Sequence, residues 1–140
     1  MVGLKLPFSN TVNLGMTLGA ILLAAAFLAP QARSEGAPLS GSWSGGGSVL
    51  YSDGHREQAR CRAHFSQSGP VVSVEALCAT PSGSVEQSAR LRRVGANSYS
   101  GRFFNPQFNI TGSIHITVHG NTQSVSLRSG SGSASLTLRH

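Results

Sequence analysis

Apolar and polar side chains alternate strictly over residues 108–119. The apolar set occupies every second position: Phe108, Ile110, Gly112, Ile114, Ile116 and Val118. The polar set lies between them: Asn109, Thr111, Ser113, His115, Thr117 and His119. Because successive side chains of a strand point to opposite faces, this period of two predicts a β-strand with one face on a core.

A second alternation, over residues 57–80, predicts a hairpin about the turn Ser68-Gly69-Pro70-Val71. This register pairs Phe65 with Val74 and Cys61 with Cys78. One face then carries an apolar set: Ala59, Cys61, Ala63, Phe65, Val72, Val74, Ala76 and Cys78. The two cysteines fall at a non-hydrogen-bonded pair, where Cα atoms are about 4.5 Å apart, at the short edge of the disulfide range. The sequence therefore predicts a disulfide between Cys61 and Cys78.

The first strand, from about residue 41 to 51, contains a glycine kink at Gly45-Gly46-Gly47. The turn after it allows two registers. A two-residue loop would place Trp43 on the arginine-bearing face of the next strand, whereas a three-residue loop with a left-handed Gly54 places Trp43 opposite Ala63. We expect the second register, because it buries the only tryptophan and also turns Val49 and Tyr51 inward.

The remaining segments predict further short strands. Turns are expected at Pro81-Ser82, 95–97, Asn105-Pro106, Gly120-Asn121 and 129–132. Strands are expected at 84–94 and 98–104, and around the apolar residues Val125, Leu127, Ala134, Leu136 and Leu138. Eight short strands without an amphipathic helix predict an all-β domain, an antiparallel up-and-down meander closed as a small barrel or packed as a sandwich. Eight strands enclose either a filled core or one small ligand, and the pattern leaves both open.

The N-terminal residues predict export. Lys5 is the only charge before an apolar run at residues 14–29, which is too short for a comfortable membrane span and is followed by small residues. We expect a signal peptide over residues 1–32, cleaved after Ala32 or alternatively after Gly36, then a disordered leader over 33–38 and one domain over 39–140. The alternative is an uncleaved anchor. The expected location is periplasmic or secreted, with no transmembrane span in the mature protein.

The chain is basic, with 11 Lys and Arg against 5 Asp and Glu and a net charge of +6. Such an excess is compatible with solubility alone or with attraction to an anionic envelope component. No aromatic residues interleave with the arginines, so we expect no nucleic-acid platform.

No arrangement of residues indicates catalysis. No two carboxylates are placed to flank a substrate, no serine has a base and an orienting acid, and the cysteines are used by the predicted disulfide. His115 and His119 share a strand face but are about 13 Å apart, too far to share one metal ion. The sequence therefore predicts a protein that is not an enzyme, with no catalytic residue, cofactor or metal site.

The start and end of the domain resemble a known pattern. Gly41-Ser42-Trp43 in the first strand and Arg139 in the last resemble the calycin pattern of lipocalins and avidins. The resemblance implies a small barrel in which Arg139 covers Trp43. The Gly-x-Trp start together with a disulfide is also similar to bacterial periplasmic metalloprotease inhibitors.

Most of the mature chain also resembles a group of small exported proteins of alphaproteobacteria. Four segments carry the likeness: residues 41–47, 51–54, 60–63 and 123–127. This likeness implies a compartment and a fold. We expect a non-enzymatic binding module for a small apolar ligand, with Trp43, Tyr51, Phe65 and Arg139 as candidate binding residues. The alternative is a structural, envelope-interaction or protease-inhibitor-like module that uses its outer surface.

Overall fold

The computed structural model describes residues 39–140. The predicted signal peptide and leader lie outside these residues. Within residues 39–140, the structure contains no helix with the length and apolarity that a membrane crossing requires. Eight strands follow one another: β1 (Gly41–Tyr51), β2 (Arg56–Ser68), β3 (Val71–Thr80), β4 (Gly83–Gly95), β5 (Ser98–Asn105), β6 (Ile110–His119), β7 (Thr122–Ser129) and β8 (Gly132–Arg139).

The strands form a closed antiparallel barrel with up-and-down connections. Each strand pairs with the next in sequence, and β8 pairs back onto β1. The predicted all-β meander is confirmed, and closure decides for the barrel against the sandwich. Closure leaves none of these eight strands with an unpaired edge.

The glycines of β1 permit this closure. A Cβ atom on Gly45 would lie 2.1 Å from the carbonyl oxygen of Thr137, and one on Gly47 would lie 1.9 Å from that of Ser135. Both distances are far below van der Waals contact, so these positions require glycine. The predicted kink is thus a place where the backbones of β1 and β8 approach closely.

The predicted registers of the first three strands are confirmed. Cys61 pairs with Cys78 in the β2–β3 ladder, their Cα atoms are 4.1 Å apart, and a disulfide joins them. Trp43 lies opposite Ala63. In the turn between β1 and β2, Gly54 has a φ of 92°. A left-handed residue at the end of a three-residue loop is the geometry that buries Trp43.

The strand β6 begins two residues later than the alternation suggests. Phe108 lies in the turn before it and is 58% exposed, and its N–H donates to the Asn105 side-chain oxygen over 3.2 Å. Asn109 then takes a φ of 52°, in the left-handed region that asparagine tolerates. The chain therefore enters β6 at Ile110, and from there the predicted inward positions are confirmed.

The two ends of the barrel differ in packing. We call the end that holds residues 39–43 and the turns at 69–70, 96–97 and 120–121 the packed end, and the opposite end the open end. The largest fully buried side chains lie toward the packed end: Tyr99, Phe65, Leu39, Leu91, Ile116, Gln123, Val72 and Val118. Trp43 is also there and is 2% exposed. The largest fully buried side chains therefore fill the barrel at its packed end.

Candidate functional site

The open half of the barrel encloses a cavity of about 210 Å³. On β2 and β3 its wall is made by the small side chains Ala59, Ala63 and Ala76, which leave the interior unfilled. Larger apolar side chains on β5 and β6, among them Phe103 and Ile114, complete the wall. The sequence left open whether the barrel has a filled core or a cavity. The structure has both: the packed end is filled and the open end is hollow.

The Cys61–Cys78 disulfide is part of this wall. It joins β2 to β3 beside the alanines. It therefore crosslinks two neighbouring strands at the height of the cavity, next to inward positions that carry only alanines. The sequence identified this pair, although not its position beside a cavity.

Polar residues also line the cavity, among them Gln87 and Ser88 on β4 and Asn105 at the end of β5. Gln87 lies directly opposite Ala76, on the inward side of the sheet. Its side-chain oxygen Oε1 is buried and has no hydrogen-bond partner among residues 39–140. Sequence reasoning missed this residue. The available signal was its spacing of two residues from Val85 and from Ala89, two apolar residues that share one face of the strand.

A hydrogen-bonded cluster stands at the rim of the open end. The Tyr51 hydroxyl donates to Glu57 Oε1 over 3.0 Å, and the Ser82 hydroxyl donates to Glu57 Oε2. His55 Nε2 lies 3.3 Å from the same Oε2. The Glu57 side chain is 8% exposed although it is a rim residue. The cluster ties the turn after β1 to the turn after β3.

The cluster shifts the pKa values of two of its members, Glu57 and Tyr51. The hydrogen bond from Ser82 lowers the pKa of the Glu57 carboxyl below 4.5, and the bonds from Thr80 and Tyr51 and the nearby His55 act in the same direction, against partial burial. Burial, followed by the hydrogen bond to Glu57, raises the pKa of the Tyr51 phenol above 10.0. At neutral pH the rim therefore holds a neutral phenol and a charged carboxylate.

Of the four candidate binding residues, two line the cavity and two, Trp43 and Arg139, do not. Phe65 lines the inner end of the cavity and Tyr51 lines its mouth. Trp43 does not line the cavity: its indole N–H donates to the Leu39 carbonyl oxygen over 3.0 Å, within the packed end. Its ring meets the Phe65 ring edge-on, with centroids 6.3 Å apart. Trp43 is thus a core residue beneath the cavity.

Arg139 does not cover Trp43 as the calycin resemblance implies. The ring that packs on Trp43 is that of His140, with centroids 4.6 Å apart. The physical reason is strand alternation: Leu138 points into the barrel and is buried, so Arg139 points outward and is exposed. His140 follows β8 and its ring turns back toward the first strand, where its Nε2 lies 3.2 Å from the Ser40 carbonyl oxygen.

His64 and His115 lie on the outer face of the barrel. His64 is opposite Glu75, and both are exposed. His115 Nδ1 lies 2.7 Å from the Ser100 hydroxyl oxygen. Among residues 39–140, no three histidine, cysteine or acidic side chains are grouped so that they could hold a metal ion.

Comparison with known proteins identifies the fold. No family model matches the chain, and no curated protein matches it. Solved structures do match. A redesigned β-barrel, mFAP1, solved with DFHBI bound, has a TM-score of 0.62 and 16% identity, over 73% of this chain and 94% of that one. A fluorescence-activating β-barrel designed de novo has a TM-score of 0.58 and 14% identity, over 73% and 93%. At these identities the likeness concerns the barrel fold.

Proposed function

We propose that this protein is a non-enzymatic binding module, periplasmic or secreted, that holds a small apolar ligand in the open half of its barrel. The observation that carries the proposal is the cavity of about 210 Å³ with its alanine-rich wall. An apolar cavity of about 150 Å³ binds benzene. A molecule somewhat larger than benzene, such as a bicyclic aromatic compound, suits the size of this cavity.

Two further observations support the proposal. The mFAP1 barrel is bound to DFHBI, so a barrel of this fold accommodates a small ligand. The disulfide and the predicted signal peptide both favour an oxidising compartment outside the cytoplasm. The proposed location rests on these two features together.

The cavity is tested by filling it. Ala76→Phe places a large ring in the wall, whereas Leu77→Phe, the next residue on the same strand, places it on the outer face, where Leu77 is exposed. We expect the fluorescence of naphthalene, a bicyclic probe, to change on binding to the wild type and to the Leu77→Phe variant, with loss of binding in Ala76→Phe. Native mass spectrometry of the protein from its own cells should show a retained small molecule.

Two outcomes contradict the proposal. One is a wild-type protein that binds neither this probe nor any cellular molecule. The other is equal binding by the folded Ala76→Phe and Leu77→Phe variants, which would place the probe outside the barrel.

A second candidate function, attachment to an anionic envelope component through the outer surface, is favoured by one observation. Arg90 on β4 lies directly opposite Arg102 on β5, and like charges at opposed positions destabilise a sheet unless an anion lies between them. We expect the protein to bind phosphatidylglycerol vesicles more tightly than phosphatidylcholine vesicles. Exchanging Arg90 and Arg102 for Gln should abolish the preference, whereas the same exchange at Arg60 and Arg62 should largely preserve it. Equal binding to both vesicles would remove this candidate.

A further inference from the structure

The turn between β5 and β6 carries an exposed aromatic side chain at the mouth of the cavity. Phe108 lines the cavity and is nevertheless 58% exposed. The turn holds it there, because its N–H donates to Asn105 Oδ1 and the left-handed Asn109 follows it before β6 begins. The apolar lining of the cavity therefore continues through Phe108 onto the outside of the barrel.

A second exposed aromatic side chain belongs to the same segment of the chain. Phe104 lies on the outer face of β5 and is 40% exposed. Across the ladders it faces Ser88 and Thr111, whose short side chains leave it uncovered. We call Phe104 and Phe108 the aromatic tip. Exposed apolar side chains that are grouped beside a polar surface mark a contact with a protein or a membrane.

The surface behind the aromatic tip is positively charged. Arg102 lies on the same outer face as Phe104, about 7 Å further from the open end along the strand. Arg90 is its direct cross-strand partner. Both arginines are exposed and border one shallow groove together with Phe104. Among residues 39–140, no ion pair joins either arginine to an acidic side chain.

The acidic residues lie on other parts of the barrel. Glu86 is the last acidic residue of the sequence, so strands β5 to β8 carry no carboxylate side chain. Glu75 and Glu86, on β3 and β4, lie at the border of this face. The rim acids Asp53 and Glu57 lie in the turn after β1 and at the start of β2, half the circumference away from β6. The β5–β6 side of the open end is therefore basic as well as aromatic.

We propose that the open end docks on an anionic lipid surface with the aromatic tip leading, which turns the mouth of the cavity toward the membrane. Charge complementarity selects this partner. Exposed arginines attract anionic headgroups, and phenylalanine rings enter the boundary between headgroups and acyl chains. The order of the side chains, aromatic at the end and arginine behind it, matches the order of these layers.

This inference rests on the envelope-attachment candidate above. It adds the lipid nature of the partner, the orientation of the barrel and the residues that enter the membrane. In this orientation an apolar ligand reaches the cavity from the lipid without crossing water.

A tryptophan at the aromatic tip tests the orientation. Phe108→Trp places a fluorophore there. Its matched control, Val94→Trp, places one at the packed end, where Val94 is 60% exposed near the end of β4. Trp43 gives the same background in both variants. On phosphatidylglycerol vesicles, we expect the Phe108→Trp emission to shift to shorter wavelength and to be quenched by lipids with brominated acyl chains, and the Val94→Trp emission to do neither.

Removing the ring tests its contribution to affinity. Phe108→Ser should weaken binding to phosphatidylglycerol vesicles by about tenfold, as expected when part of a phenylalanine side chain is no longer removed from water. Val94→Ser should leave this binding nearly unchanged. Both side chains are exposed, so neither exchange removes core packing.

The outcomes separate this inference from the proposals on which it builds. If the wild type prefers phosphatidylglycerol vesicles but Phe108→Trp is neither shifted nor quenched, or Val94→Trp is quenched equally, the orientation is wrong while the envelope candidate stands. If the wild type binds neither kind of vesicle, the envelope candidate fails and the inference fails with it. A shift of Phe108→Trp at high protein concentration without vesicles would assign the aromatic tip to a second copy of the chain and contradict the lipid partner. Naphthalene binding in the cavity is measured separately and does not depend on these results.

Discussion

Replacing Phe65 with alanine tests the register and the packing of the barrel together. Phe65 is 2% exposed, and its ring packs edge-on against Trp43 at the boundary between the packed end and the cavity. The neighbouring His64 points to the outer face and is exposed. The two residues are adjacent in sequence, so only the face on which each lies distinguishes them.

The expected loss follows from what the ring contacts. Burial of a phenylalanine side chain contributes about 1.5–3 kcal/mol, and an edge-to-face aromatic pair about 0.5–1.5 kcal/mol more. Because Phe65 borders an existing cavity, its removal enlarges that space, and neighbours have little reason to collapse into it. We expect Phe65→Ala to lower the free energy of unfolding by about 3–5 kcal/mol, and His64→Ala to change it by less than about 0.5 kcal/mol.

Urea unfolding followed by tryptophan fluorescence measures both changes, since Trp43 is the only tryptophan. For a slope of about 2 kcal/mol per molar urea, the Phe65→Ala midpoint should fall by about 1.5–2.5 M. Similar and small midpoint shifts in the two variants would refute the register and the burial of Phe65. A large loss in His64→Ala alone would mean that the two faces are exchanged.

Three further predictions concern other parts of the chain. Reduction of the Cys61–Cys78 disulfide, which closes a loop with a sequence separation of 17, should cost about 3 kcal/mol of unfolding free energy; two free thiols in the native protein, or equal denaturant midpoints before and after reduction, would contradict this. Because the folded pKa of Glu57 lies below its ordinary value of 4.5, its contribution to the free energy of unfolding is fully present above that pH and is lost as the pH falls through the folded pKa. Glu57→Gln should therefore weaken the fall of the free energy of unfolding at acid pH. An unchanged fall in this variant would count against the rim cluster. N-terminal sequencing of the protein from its own cells should begin between residues 30 and 38, and recovery of intact Met1 in a membrane fraction would argue for an anchor instead.

The strands and their registers could be predicted because local chemistry specifies them. Gly69-Pro70 and a left-handed Gly54 set the loop lengths, and a shift of one residue would turn every apolar side chain outward. The cysteine pair agrees with the same register. Closure into a barrel was not decided by these signals, since it depends on contact between the first and last strands, which a hairpin-by-hairpin pattern does not contain.

The candidate site was predicted less completely. Tyr51 and Phe65 reach the cavity, but Trp43 belongs to the packed end and Arg139 to the outer surface. Alternation identifies which residues face inward, yet it does not show at what height along the barrel large side chains give way to alanines. Gln87 and Glu57 were missed for a related reason: a polar residue at an inward position looks like a break in the pattern until the cavity and its rim are seen.

The seam between β1 and β8 also governs how the barrel is reached from the unfolded chain. Seven of the eight strand pairings are hairpins between neighbours in sequence, whereas the seam joins distant residues such as Ser44 and Arg139. Contacts of high sequence separation carry the largest loop-closure entropy, so the seam is the pairing expected to form last. Until then both terminal strands are open edges, which are templates for aggregation. The run Gly45-Gly46-Gly47 makes β1 a poor template, since glycine has low strand propensity. The residues that let the finished barrel close therefore also protect the chain while it is still open.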